Sequence, residues 1–149
     1  MTSKENKDRM GRLLGRAYHL WQDIGYRRLA QRGYADIRPA HSPVFRFLDA
    51  GGSIVRDLAA RSGMTKQSMT YLVKDLVEKG YLSISPDPDD RRAKRIELTE
   101  KGEAAAAALR DVSLGLEAQL GESIGQEMVE TLRAELKEVV TFAQSQSED

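Results

Sequence analysis

Cysteine is absent from the 149 residues. Disulfides, thiolate metal ligands and thiol-based oxidation sensing are thereby excluded, and the composition suits a reducing compartment. No apolar run approaches the ~18 residues that span a bilayer, and no charged-then-apolar leader opens the chain. A soluble, cytoplasmic protein is the expectation. Histidine is scarce: His19 and His41 are the only two, and neither has companions spaced for metal ligation. A Gly-rich phosphate loop and a recognisable nucleophile motif are also missing. Catalysis, a metal and a cofactor are therefore not expected. Net charge is lacking too, with 23 Lys and Arg against 23 Asp and Glu.

That neutrality conceals an uneven distribution. Residues 1–55 carry ten basic against five acidic side chains, residues 56–95 nine against six, and residues 96–149 four against twelve. A basic front and an acidic end leave a local field able to meet a polyanion. With 40% hydrophobic residues a packed core is feasible.

The periodicity predicts mostly helices. From about Asp8 to Arg32, Met10, Leu13, Leu14, Ala17, Leu20, Trp21 and Ile24 recur at three- and four-residue steps, and Gly33 stops the helix. Ser42-Pro43 reads as N-cap and first helical residue of a short helix ending at Gly51-Gly52. Ser53 is expected to cap a helix through about Arg61, broken at Gly63. Thr65 caps the next, whose stripe of Met69, Leu72, Val73, Leu76 and Val77 ends at Gly80. The period then changes to two. Leu82 and Ile84, then Ile96 and Leu98, alternate with polar residues around a proline-stiffened tip, which predicts a two-stranded hairpin. Thr99 caps a further helix with Leu109, Val112, Leu116 and Leu120, a break is expected over Gly121 to Gly125, and a last amphipathic helix carries Met128, Val129, Leu132, Leu136, Val139, Val140 and Ala143.

The segment Val55 to Lys74 carries the most specific signal. Two helices crossing over a tight turn need a small residue in the first, a turn glycine four positions later, and apolar residues locking the second. Ala59, Gly63, Met69 and Leu72 occupy those positions, with Leu58 and Leu76 extending the lock. A hairpin with arginines at its tip follows at once, which is the order of a winged helix-turn-helix. The stripe leaves Gln67, Thr70, Tyr71 and Lys74 together on the outward face, groups suited to base edges. Lys66, Lys74 and the Ser68 hydroxyl suit phosphates, and Thr65 opens the helix.

The run DPDDRRAKRIELTEKG, preceded by GMTKQSMTYLVKDLVEKGYL, resembles the MarR (multiple antibiotic resistance regulator) family. Asp90, Arg92, Leu98, Thr99 and Gly102 match its wing pattern. The resemblance implies a homodimer held by the first and last helices, here about 8–33 and 103–145, around a DNA-binding lobe of about 40–102, all within one domain over 1–149. The recognition helix would enter the major groove of a palindromic duplex, Arg92 with Arg91 and Lys94 beside it would reach the minor groove, and Asp90 would orient the arginine or brace the wing. The resemblance also implies a small anionic aromatic effector bound between the dimerisation helices and the DNA-binding lobe. His19, Trp21, Tyr26, Tyr34 and His41 are the candidates for such a pocket here, with core packing the competing reading, favoured for Trp21. A repressor released by an effector is the expected function, and a winged-helix module for protein–protein contact is the alternative.

Overall fold

The computed structural model describes residues 9–147. The chain divides into two compact units, Met1–Arg110 and Asp111–Asp149. In the first, helix α1 spans Met10–Leu29 and runs into a π-helical turn, Ala30–Tyr34. Gly33 ends it at φ 97°, a value open to glycine at no steric cost. The predicted stop is therefore where it was expected; Asp8, the expected start, lies outside the described residues.

A 3-10 turn, Pro39–His41, leads into α2, Ser42–Phe47. Here the expected cap is corrected. His41 stands at the N-cap and Ser42 is already helical. The Ser42 hydroxyl is engaged elsewhere: it accepts from Arg46 Nη2 at 3.3 Å and bonds the Tyr26 hydroxyl of α1.

The second correction concerns Ser53. It caps no helix but forms, with Ile54, a short strand β1 paired antiparallel to Ile96 and Arg95. Its hydroxyl donates to Asp49 Oδ2 and accepts the Asp49 N–H, closing the turn before the strand. The strands β2, Leu82–Pro86, and β3, Lys94–Leu98, form the predicted hairpin, with a register that sets Leu82 opposite Leu98 and Ile84 opposite Ile96. The sheet accordingly has three strands in the order β1-β3-β2.

Between β1 and β2 lie α3, Val55–Ser62, and α4, Lys66–Glu78. Gly63 closes α3 at φ 66°, with the Met64 N–H on the Ala59 carbonyl and the Gly63 N–H on that of Ala60. This Schellman arrangement satisfies two end carbonyls and turns the chain sharply. Thr65 then caps α4, its Oγ1 accepting the Ser68 N–H at 3.1 Å. Gly80 repeats the closing geometry after α4, with the Tyr81 N–H on the Leu76 carbonyl. Leu58, Ala59, Met69, Leu72, Val73 and Leu76 are buried together with Leu29, Ile37, Val44, Tyr81, Leu82 and Ile96 in one core. The predicted lock residues are thus all inside.

Helix α5 runs Glu100–Ile124, and α6 Gln126–Ser145. Thr99 precedes α5 and caps it, accepting the Gly102 N–H at 3.1 Å while donating to the Gly80 carbonyl. The break predicted over Gly121 to Gly125 shrinks to one residue. Gly121 stays helical, and the turn falls on Gly125 at φ 94°. In the second unit Val112, Leu116 and Val129 are buried, and Arg133 bridges Glu117 at 2.8 Å. Among the described residues no helix is long and apolar enough to cross a membrane.

Candidate nucleic-acid interface

The outward side of α4 carries Lys66, Gln67, Ser68, Thr70, Tyr71 and Lys74, all exposed, behind the exposed cap Thr65. The local sequence explains the sorting: four apolar residues at helical spacing turn inward, and of the residues between them Thr70, Tyr71 and Lys74 turn out while Asp75 stays half-buried. The hydroxyls are partly committed. Thr65 donates to Ser68 Oγ at 2.9 Å, and Thr70 donates to the Lys66 carbonyl at 2.7 Å. Tyr71 is the outlier, a large aromatic 67% exposed on the same face as Gln67 and Lys74. Its ring adds apolar surface to this polar face.

The wing is built from the Asp-Pro-Asp-Asp run. Asp87 is buried, and its Oδ1 accepts the N–H groups of both Asp89 and Asp90 at 2.9 Å. Its other oxygen takes Arg95 Nη1 at 3.2 Å. The two backbone N–H groups hold the Asp87 carboxyl below the usual carboxylate range, and Arg95 adds to this against the opposing effect of burial. Asp90 makes a local contact within the tip. Its carboxylate accepts the backbone N–H of Arg92 at 3.0 Å. The Arg91, Arg92 and Lys94 side chains are left exposed around this frame.

Asp87 and Arg95 were not singled out in the sequence. The signal was present, since an aspartate two and three residues before backbone N–H groups is Asx-turn chemistry. Arg95 also donates through Nε to the Gly51 carbonyl at 2.8 Å, so it ties the wing to the turn before β1. Gly52 lies in that turn at φ 85°, where a Cβ would come within 2.8 Å of the Ile96 carbonyl oxygen.

The five candidates for an effector site occupy different settings. His19 is exposed on α1 and pairs with Asp23 at 3.5 Å. Trp21 and Tyr26 are half-buried. Burial raises the Tyr26 phenol pKa, with the Ser42 hydrogen bond opposing. Tyr34 packs against Tyr81, ring centroids 6.3 Å apart. His41 is fully buried, its Nε2 2.7 Å from Asp75 Oδ2. Near Tyr26, Arg46 donates to the Tyr18 hydroxyl at 2.6 Å and stacks over that ring, a contact the sequence reading did not find. Among the described residues no group of three or more His, Asp or Glu converges as a metal site.

This arrangement of helix-turn-helix, wing and flanking helices has close counterparts. Residues 35–93 match the family model described as MarR family. The helix-turn-helix and the first part of the wing are thus similar to those of the MarR family. The chain is 28% identical over 111 residues to the exopolysaccharide II synthesis transcriptional activator ExpG of Rhizobium meliloti (strain 1021), covering 74% of this chain and 57% of that protein. The chain thus spans little more than half the length of this curated relative. Among solved structures, the transcriptional repressor CouR bound to a 23-mer DNA duplex superposes with a TM-score of 0.77 at 23% identity, covering 94% of this chain and 98% of the other. CouR from Rhodococcus jostii RHA1 bound to p-coumaroyl-CoA gives a TM-score of 0.70 at 26% identity, covering 89% and 92%. The fold is accordingly the winged helix of MarR family regulators.

Proposed function

We propose that this chain is a sequence-specific regulator of the MarR family that binds duplex DNA as a homodimer, represses transcription in the cytoplasm, and is released by a small anionic aromatic effector. One observation carries the DNA-binding part: Gln67, Thr70, Tyr71 and Lys74 share one exposed face of the second helix of a helix-turn-helix. The exposed Arg91, Arg92 and Lys94 on the adjoining wing add positive charge where a minor groove would lie. A module for protein contact alone needs neither feature.

Pairing of two chains is supported by apolar surface. On α6, Met128, Leu132, Leu136 and Val140 follow one another at four-residue steps and all are exposed; on α1, Met10, Leu13 and Leu20 are exposed. Stripes of this length seldom face water in a monomer. A two-fold dimer would present two α4 helices to an inverted repeat with half-sites roughly 10 bp apart, centre to centre. Release by an effector draws on CouR, whose structures include one on a DNA duplex and one with p-coumaroyl-CoA. The direction of regulation is drawn from the same protein, since ExpG is an activator. The effector is assigned to α1 and the segment leading into α2, which carry Trp21, Tyr26 and Tyr34.

The test is selection of a duplex from a randomised pool, followed by titration of that duplex and a scrambled one of equal composition. Gln67→Ala and Tyr71→Ala should each weaken preference by about 1–3 kcal/mol, whereas Lys74→Ala weakens both duplexes alike if it meets phosphate. Equal loss on both duplexes for all three would misplace the reading face. Failure to enrich any sequence would leave the protein-contact module standing. Sedimentation of a Leu132→Glu, Leu136→Glu variant checks the dimer, with monomers of native helicity expected.

A further inference from the structure

Helix α4 is held inward by Met69, Leu72, Val73 and Leu76, all buried. Apolar contact is non-directional, so it fixes the depth of a helix better than its rotation. The directional contacts that reach α4 from another element converge on Asp75. His41 Nε2 stands 2.7 Å from Asp75 Oδ2, and the Arg38 guanidinium 3.6 Å from the same oxygen. Lys79, the C-cap residue just past α4, completes the set at 2.5 Å.

His41 is fully enclosed and has both ring nitrogens engaged. Its Nδ1 accepts the Arg38 backbone N–H at 2.9 Å. An accepting Nδ1 carries no proton, so the hydrogen sits on Nε2 and is donated to the Asp75 carboxylate. Asp75 adjoins Lys74 and lies one turn beyond Tyr71, so the anchor sits on the part of α4 that carries two of the exposed contact residues. The same short segment grips the wing root as well, because Asp36 accepts the Tyr81 hydroxyl at 2.6 Å.

We infer that His41 is a positioning residue for DNA recognition: by holding Asp75 through Nε2–H it sets the rotation of α4, and with it the register of Gln67, Tyr71 and Lys74 against the base edges, without touching DNA. The inference rests on α4 being the base-reading helix. It makes the segment between α1 and α2 the lever through which a displacement of α1 reaches the reading face.

Two near-isosteres separate this role from mere packing. In His41→Gln the amide nitrogen falls close to Nε2 and keeps the donor to Asp75, giving up the bond from Arg38. In His41→Asn the amide oxygen falls close to Nδ1 and keeps the Arg38 bond, but no donor reaches Asp75. At neutral pH neither change alters charge, so salt-driven binding to a scrambled duplex stays as in the wild type. His41→Asn should lose about tenfold in preference for the pool-selected duplex, the size of one hydrogen bond to a charged group, and His41→Gln should retain most of it. Hydrogen exchange should rise in α4 around Lys74 to Lys79 for the Asn variant only. This second readout needs no DNA. Equal losses in both variants, tracking melting temperature, overturn the inference in favour of simple packing. Unchanged preference and exchange in His41→Asn overturn it outright. A wild-type protein with no duplex preference overturns the DNA-binding reading, and this role with it, while the exchange difference between Asn and Gln persists.

Discussion

Asp87 and Arg95 face one another across the base of the wing, Oδ2 to Nη1 at 3.2 Å, and together support a tip whose cationic side chains they do not touch. Asp87 closes the loop from below by taking two backbone N–H groups, while Arg95 fastens it sideways to the Gly51 carbonyl. Asp87→Ala should therefore destabilise the protein by about 1–3 kcal/mol, because a buried carboxylate that takes two backbone N–H groups and Arg95 is lost. Asp87→Asn, which keeps Oδ1, should cost less. Urea unfolding of the two variants checks this. A depressed carboxylate stabilises above its unfolded value, so the contribution of Asp87 should be present above about pH 4 and fall away below it. Equal midpoints for wild type and Asp87→Ala at neutral pH would show that the loop holds itself.

The start of α5 is pressed against the wing root at Gly102. A Cβ there would collide with the Tyr81 carbonyl oxygen and come within 3.0 Å of the Leu98 side chain. The Tyr81 carbonyl is backbone and cannot swing aside, and it also accepts the Thr99 N–H at 3.1 Å. Gly102→Ala should cost about 2–3 kcal/mol by overpacking, although alanine is the better helix former. A melting temperature equal to the wild type would mean that the helix start yields without loss.

What was legible in the sequence was local. Gly63 and Gly80 could be read as helix ends because a left-handed residue after an apolar stripe leaves glycine as the natural choice, and both have positive φ. The existence of the hairpin followed from alternation alone, whereas its register came from the structure. Ser53 and Ile54 were misread because two residues carry no period, and Ser53 is a good cap as well as a tolerable strand residue. What decides its state is pairing with Ile96, forty-three positions away. Gly121 was read as a breaker, yet glycine in a long helix costs only about 1 kcal/mol, and the neighbouring turns of α5 carry it. On the candidate interface, the outward face of α4 and the wing cations could be named from spacing and resemblance. The His41–Asp75 contact spans thirty-four positions and leaves no pattern in the chain.

His41 also predicts a dependence on pH. Burial lowers its pKa from the ordinary value, with Lys79 and Arg38 acting in the same direction and Asp75 opposing. Protonating Nδ1 would break the Arg38 N–H bond as well. A histidine depressed in the folded state gives stability that is complete above its unfolded value, about 6.5, and is lost as pH falls through the folded value. Urea midpoints should thus decline between about pH 7 and pH 5, before the depressed carboxylates of Asp49, Asp75 and Asp87 titrate. His41→Gln should flatten that decline. An undiminished slope in the variant would assign it to other groups.

The wing arginine gives the most discriminating measurement on DNA. Arg92 is exposed, and its contact within the tip is through its backbone N–H on Asp90, so the guanidinium is free to leave the protein surface. Arg92→Ala should lower affinity for the selected duplex and reduce the log–log salt slope by about one per lost phosphate-field contact and subunit. It should also reduce the penalty for G·C pairs beneath the wing, since a narrow A·T minor groove is what favours an inserted guanidinium. Arg92→Lys should keep most of the salt slope and lose part of the A·T preference, because an ammonium is more strongly hydrated. Melting temperature should barely change in either variant, for the tip builds no core. Titrations at several salt concentrations on duplexes differing only under the wing separate these effects. If Arg91→Ala shows the full pattern and Arg92→Ala binds normally, the groove-facing residue is the neighbour, one position earlier. If neither changes slope or preference, the wing stays off the DNA and α4 alone reads it.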